Sequence, residues 1–249
     1  MAQSYPGTRE TGLANSDASS EGNIFSIFEN PAGSAVFENA KVGFFMSPSP
    51  FGLQELSTMY FAYSQPTAFG IFSLGIMNFG FKLYRENLFL VGYSIPIDDV
   101  FYFGVSVQSK IVQIKNYGSG SVLDISLGSF YRLGSSFKFG FSIKNPLRTA
   151  EKALDIPLLY EAGLSYKIPK TGSLNFSIIK ETDFPFSPSF GIEFIPADFI
   201  SLQFGARNNP TIFCAGISAE YEFIKIGFAV ESHQVLGLTH QGDIIITIR

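Results

Sequence analysis

Two histidines, one cysteine and many serines are what this chain offers to catalysis. His233 and His240 lie near predicted strand ends, and no His or Cys pair has the spacing of metal ligands. Ser232, His240 and Asp243 could be written as nucleophile, base and orienting acid. In a chain so rich in serine, such a set arises by chance. No glycine-rich loop precedes a helix to cradle phosphate, and the lone Cys214 excludes a disulfide framework. The expectation is no enzyme, no metal and no cofactor. What stands out instead is apolar: NIFSIFENPAGSAVF, residues 23–37. Pro31 forbids a regular helix or a central strand there, yet the stretch is too apolar for a solvated loop. Other elements must shelter it.

Composition narrows what those elements are. The 249 residues are 46% apolar and 16% aromatic, with 28 Phe and no Trp. Charged residues make up 15%, against roughly 25% in soluble domains, and the mean hydropathy is +0.21. A net charge of −4 provides no basic field, so nucleic acid is excluded as a partner. The longest apolar run, AFGIFSLGIMNFGF (68–81), is interrupted by glycines, Ser73 and Asn78, and falls short of the roughly 20 residues of a membrane helix. That leaves a large β-core or a β-barrel in lipid. The start, MAQSYPG, lacks a charged n-region and an apolar h-region, and the expectation is that a secretory signal has been removed.

From about residue 39 the dominant period is 2. VFYFGVSVQSK places Phe101, Phe103, Val105 and Val107 on one face, and SFKFGFSIKN does the same with Phe137, Phe139, Phe141 and Ile143. Such alternation predicts strands. Turn residues divide the chain into fourteen of them, among them a second over 54–64, a third over 68–83 and a last over 239–249. The count is even, as in single-chain bacterial outer-membrane barrels. The connection NPLRTAEKALDIP (145–157) has room for a short helical turn. In the third segment the apolar phase shifts between Ile71 and Phe79, which predicts a bulge or kink.

Glycine decides which face is outside. Gly104, Gly128, Gly140, Gly163, Gly191, Gly205, Gly216 and Gly227 all fall on the polar face near mid-strand. A solvated surface gains little from glycine at one depth in successive strands, whereas a crowded lumen does. The charges on that face, such as Lys138, Glu161, Glu193, Arg207 and Asp243, are then expected to pair across the lumen or with whatever fills it. The Phe, Ile, Leu and Val face meets membrane lipid. A soluble β-rich domain is the alternative, and would remain monodisperse without detergent.

With this pattern in place, TRETGLANSDASSEGNIFSIFENPAGSA (8–35) resembles the opening of the FadL-like outer-membrane family. There a small-residue segment with an Asp precedes an NPAG tetrapeptide, here Asn30, Pro31, Ala32 and Gly33. SFKFGFSIKNP (136–146) and LGLTHQGDIIITIR (236–249) look nearest the PorV/PorQ subgroup. The resemblance implies an all-β, fourteen-strand antiparallel barrel over residues 39–249 with residues 1–38 folded inside as a plug, in the bacterial outer membrane. The chain departs from the family in its short connections and in ending on Arg249, which leaves the assembly signal to Ile244, Ile246 and Ile248. Two functions are implied. The first is a secretion-associated accessory of PorV type, binding a larger outer-membrane translocon or a secreted protein. The alternative is transport of a hydrophobic small molecule past the plug and out through a lateral opening at the third strand. Phe25, Ile27, Phe28, Phe72 and Met77 would line that pocket. A structural outer-membrane protein without transport is the third class.

Overall fold

The computed structural model describes residues 5–147 and 157–248. Fourteen antiparallel strands follow one another around a closed barrel, each bonded to the next and the last to the first. They are β1 Ala40–Ser47, β2 Thr58–Thr67, β3 Gly70–Phe81, β4 Tyr84–Pro96, β5 Phe101–Ile114, β6 Gly118–Leu133 and β7 Phe137–Lys144. The circle continues through β8 Leu159–Ile168, β9 Gly172–Glu181, β10 Ser187–Ala197, β11 Ile200–Arg207, β12 Ile212–Tyr221, β13 Ile224–His233 and β14 Gly237–Ile248. Closure pairs Ala40 with Ile248 through Met46 with Gly242, so no strand edge is left open. No helix among the described residues is long and apolar enough to cross a membrane.

Alternation along each strand sends large apolar side chains outward. Phe44, Phe61, Leu74, Phe89, Phe139, Phe176, Phe204 and Phe228 are all exposed on the outer face, a continuous apolar surface that water would not tolerate and lipid does. β1 begins and β14 ends at one end of the barrel, Ala40 opposite Ile248. Ser47 and Thr58, which flank one longer connection, and Lys144 and Leu159, which flank the other, lie at the opposite end, which by barrel architecture is the extracellular side. The helical turn expected within 145–157 falls largely outside the described residues.

Two strand expectations are corrected. The second strand starts at Thr58 rather than at 54, because Gln54–Leu56 form a 3-10 turn. The third strand has no bulge. Its pairing runs unbroken from Thr58 opposite Phe79 to Thr67 opposite Gly70 on one side, and from Ile71 opposite Ser94 to Phe81 opposite Tyr84 on the other. Phe72, Leu74 and Ile76 face outward, while Ile71 and Met77 are buried inward. The apolar phase shifts because the inner face changes from polar to apolar, not because the backbone slips.

Residues 5–37 are mostly buried and lie against the inner faces of strands all round the circle, within the lumen. This leader comprises a single helical turn, α1 Thr8–Gly12, and two 3-10 turns, Ile24–Phe28 and Pro31–Ser34. Asn23 caps the first 3-10 turn through Phe25 N–H, and Asn30 caps the second through Ala32 N–H.

Candidate functional site

The leader rests on a track of glycines. A Cβ on Gly227 would strike Thr8, and one on Gly216 would crowd Gly12. Gly205 and Gly191 receive Leu13, Gly191 also Ser16, and Gly163 and Gly140 receive Ala18, with Ser19 also at Gly140. Gly128 receives Asn30, and Gly104 receives Pro31 and Ala32. Backbone comes so close to backbone that no larger residue fits without displacement. The Asn30–Gly33 tetrapeptide has a defined part in this seat. Asn30 Nδ2 donates to Ala18 O at 2.9 Å within the leader and to Ser129 O of β6 at 3.1 Å. Pro31 needs no backbone partner at the first position of its turn. Gly33 lets Ser26 and the Ser20 carbonyl approach within 2.9 Å of where a Cβ would stand.

Charge pairs complete the seat. Arg9 forms a bidentate pair with Glu193 of β10, Nε to Oε1 and Nη2 to Oε2, both at 2.9 Å, and lies 3.6 Å from Asp17. Thr8 N–H donates to Asp243 of β14 at 2.8 Å. Glu21 pairs with Arg132 at 2.8 Å and also with Lys138. Burial pushes the Glu10 carboxyl up to about 8, with neighbouring Asp17 adding to it and Arg9 opposing. Burial likewise raises Asp17 to about 6, opposed by Arg9, and holds Glu29 well above its ordinary value, reinforced by Asp17.

On the opposite side of the lumen the contact is apolar. Ile24, Phe25 and Ile27 pack with Phe45, Tyr60, Ala62, Ile71, Met77, Leu88 and Leu90 of β1–β4. Above this cluster opens a cavity of about 200 Å³. Phe28, Tyr60, Met77 and Leu88 line one side, Gln108, Lys110, Asp124 and Lys144 the other, and Tyr5 and Pro6 border it. Phe28 and Tyr60 meet edge to face at 5.0 Å. Lys110 is paired with Glu86 at 2.6 Å, Gln108 donates to Asp124 at 2.6 Å, and the Lys144 ammonium lies 5.4 Å from the Tyr5 ring centre. A second cavity of about 300 Å³ towards the extracellular mouth shares Tyr5, Leu159 and Glu181 with the first.

Of the five expected wall residues, Phe28 and Met77 line the cavity. Phe25 and Ile27 lie behind it, Phe25 against Phe45 at 6.1 Å and Ile27 beside Gly75. Phe72 is corrected. It lies on the outer face, half exposed and tilted against Tyr93 at 5.1 Å, because an even position in β3 points to lipid. Tyr5, Tyr60 and Leu88 escaped the sequence reading. LFLV at 88–91 carried a signal, since apolar residues on both faces mark a strand buried on both sides. Gly43 and Gly75, which admit Phe25 and Phe28, were also missed. The paper triad is not assembled. Ser232 and His240 lie on the outer face, with His240 stacked on Phe228, while Asp243 points inward to Thr8. His233 accepts from Val235 and Leu236 N–H in a turn.

No family model matches the chain, and no curated protein sequence matches it either. Among solved structures the barrel is similar to the Ralstonia pickettii toluene transporter TbuX, with a TM-score of 0.70 at 12% identity over 97% of each chain. It is similar to a Pseudomonas aeruginosa FadL homologue, with a TM-score of 0.66 at 10% identity over 98% of this chain and 97% of that one. The Pseudomonas putida toluene transporter TodX gives 0.69 at 10% identity over 97% and 96%. The closed fourteen-strand fold is thus that of FadL-type outer-membrane barrels.

Proposed function

We propose that this protein carries hydrophobic small molecules across the outer membrane, with residues 1–38 as the plug of its lumen. The observation that carries this reading is the cavity walled by Phe28, Tyr60, Met77 and Leu88, adjoining the outer cavity at Tyr5. An apolar cavity of about 150 Å³ admits benzene, so about 200 Å³, apolar on the side of Phe28 and Met77 and polar on the side of Gln108 and Lys110, has the size for a ligand of one aromatic ring or a short chain. Structural likeness to two toluene transporters supports the same substrate class. The lateral exit implied by the family resemblance has no counterpart in the continuous β2–β3–β4 pairing. Onward passage runs past the plug, towards the polar cavity at the periplasmic end lined by Arg9, Lys41, Glu220 and Lys225.

Phe28→Asp and Met77→Asp should each abolish uptake of phenylnaphthylamine by cells carrying the protein, while the barrel keeps its heat-resistant migration. Phe72→Ser, on the lipid face, should leave uptake unchanged. Normal uptake by both aspartate variants would remove the cavity from the pathway. The competing secretion-accessory reading predicts instead that a much larger barrel or secreted protein copurifies in mild detergent and that neither substitution disturbs it.

A further inference from the structure

A basic cleft lies outside the lumen, at the extracellular rim of β3–β5. Arg85 on β4 is paired with Gln113 on β5, and the next step of the ladder, Lys115 N–H to Leu83 O at 2.9 Å, sets Lys115 diagonally across from Arg85. Both occupy the parity of Phe89 and Val107, which face lipid. Lys82 follows in the β3–β4 turn. Together they border an open cleft of about 280 Å³ whose other walls include Leu83, Gln113 and Ile114. No acidic residue lines the cleft, and among the described residues none of the three cations has a carboxylate within ion-pair distance.

The setting gives these cations a counter-ion. On the described strands every Asp and Glu has inward parity, and the outward-facing charge is that of Arg85 and Lys180; Lys115 continues the outward parity one residue beyond β5, and all three lie at the extracellular end. Lys180 is already engaged, donating to the Thr182 and Phe184 carbonyls. The opposite end of the β4–β5 hairpin carries Asp98 and Asp99. Cations directly above an apolar band stand where lipid headgroups meet hydrocarbon, and exposed Leu83 and Ile114 continue the apolar surface into the cleft. We propose that Lys82, Arg85 and Lys115 form a binding site for the phosphate of an anionic lipid in the surrounding outer leaflet. The guanidinium is suited to bidentate contact with phosphate oxygens, the two ammonium groups supply point charges, and the lipid chains lie along Leu83 and Phe89.

The test uses the purified full chain in zwitterionic detergent, titrated with phosphatidylglycerol and read by native mass spectrometry. Wild type should retain a lipid adduct that phosphatidylcholine does not form. Arg85→Gln with Lys115→Gln should reduce retention by about an order of magnitude, the scale expected on removing two cations from an anionic surface. Lys180→Gln should not. Arg85 and Lys115 are exposed and Lys180 is half-buried, and unchanged heat-resistant migration of the variants checks that the barrel still folds. Retention by the double variant equal to wild type would overturn the proposal. So would displacement of the lipid by millimolar inorganic phosphate, which would make the cleft a site for the free anion.

Discussion

Against β1–β4 the leader presents Ile24, Phe25, Ile27 and Phe28, and the wall meets them with Phe45, Tyr60, Met77 and Leu88. Against β10–β14 it presents Thr8 to Ser16, and the wall meets them with Gly191, Gly205, Gly216 and Gly227, the Glu193 carboxylate and Asp243. Each half suits a different requirement. Side-chain packing is non-directional and leaves a hollow where rings do not quite fill the space, and the cavity walled on one side by Phe28, Tyr60, Met77 and Leu88 lies there. Backbone contact on glycine leaves no space, and charge-assisted bonds fix register and orientation. One half can therefore hold an apolar guest while the other keeps the leader in place.

Arg9→Met would leave Glu193, Asp17 and Glu10 without their shared cation, and loss of one partner of a buried pair costs about 3–5 kcal/mol. The leader should become accessible to limited proteolysis while the barrel stays folded. Phe25→Ala should weaken the seat by a comparable ~3–5 kcal/mol, but with no change in pH response, because Phe25 contributes burial alone. If both variants showed the same pH profile, the two halves would not be physically distinct.

Gly205→Val should have a smaller effect, about 1–3 kcal/mol of overpacking, since its side chain would collide with Leu13 and Ala14. Increased single-channel conductance in planar bilayers would report a displaced leader, and unchanged conductance would mean the track tolerates bulk.

The smallest effect is that of pH. Glu10 and Asp17 have carboxyls raised above their ordinary values, to about 8 and about 6. A raised carboxyl favours the seated leader most fully below its ordinary value and loses that contribution as pH rises through the seated value. Arg9, Glu29, Glu161 and Asn23 also act on this pair. Protection of the backbone amides of residues 8–19, after correction for the base catalysis of exchange itself, should therefore fall between about pH 4 and pH 8. Glu10→Gln should flatten the upper part of that fall; an unchanged profile would assign the titration elsewhere.

Much of this architecture is legible in one dimension. Period-2 alternation marks strands because successive side chains point to opposite faces. Gly104, Gly140 and Gly205 are visible as glycines at one depth because a lumen occupied by backbone excludes Cβ atoms from the strands it touches. Where both faces are apolar, as in β3 and in β4 at 88–91, alternation loses its contrast. Phe72 was consequently assigned to the wrong side, and Gly75 and Leu88 were overlooked.

A strand-built chain with a glycine-marked inner face and an irregular apolar leader follows from local periodicity and backbone restriction. That Arg9 meets Glu193 across 184 positions, that β3 runs without a break, and that Phe28, Tyr60 and Met77 converge on one hollow is set by the folded barrel. Those facts depend on how the circle closes and how the leader is threaded within it. Both bring together residues whose separation along the chain carries no periodic signal.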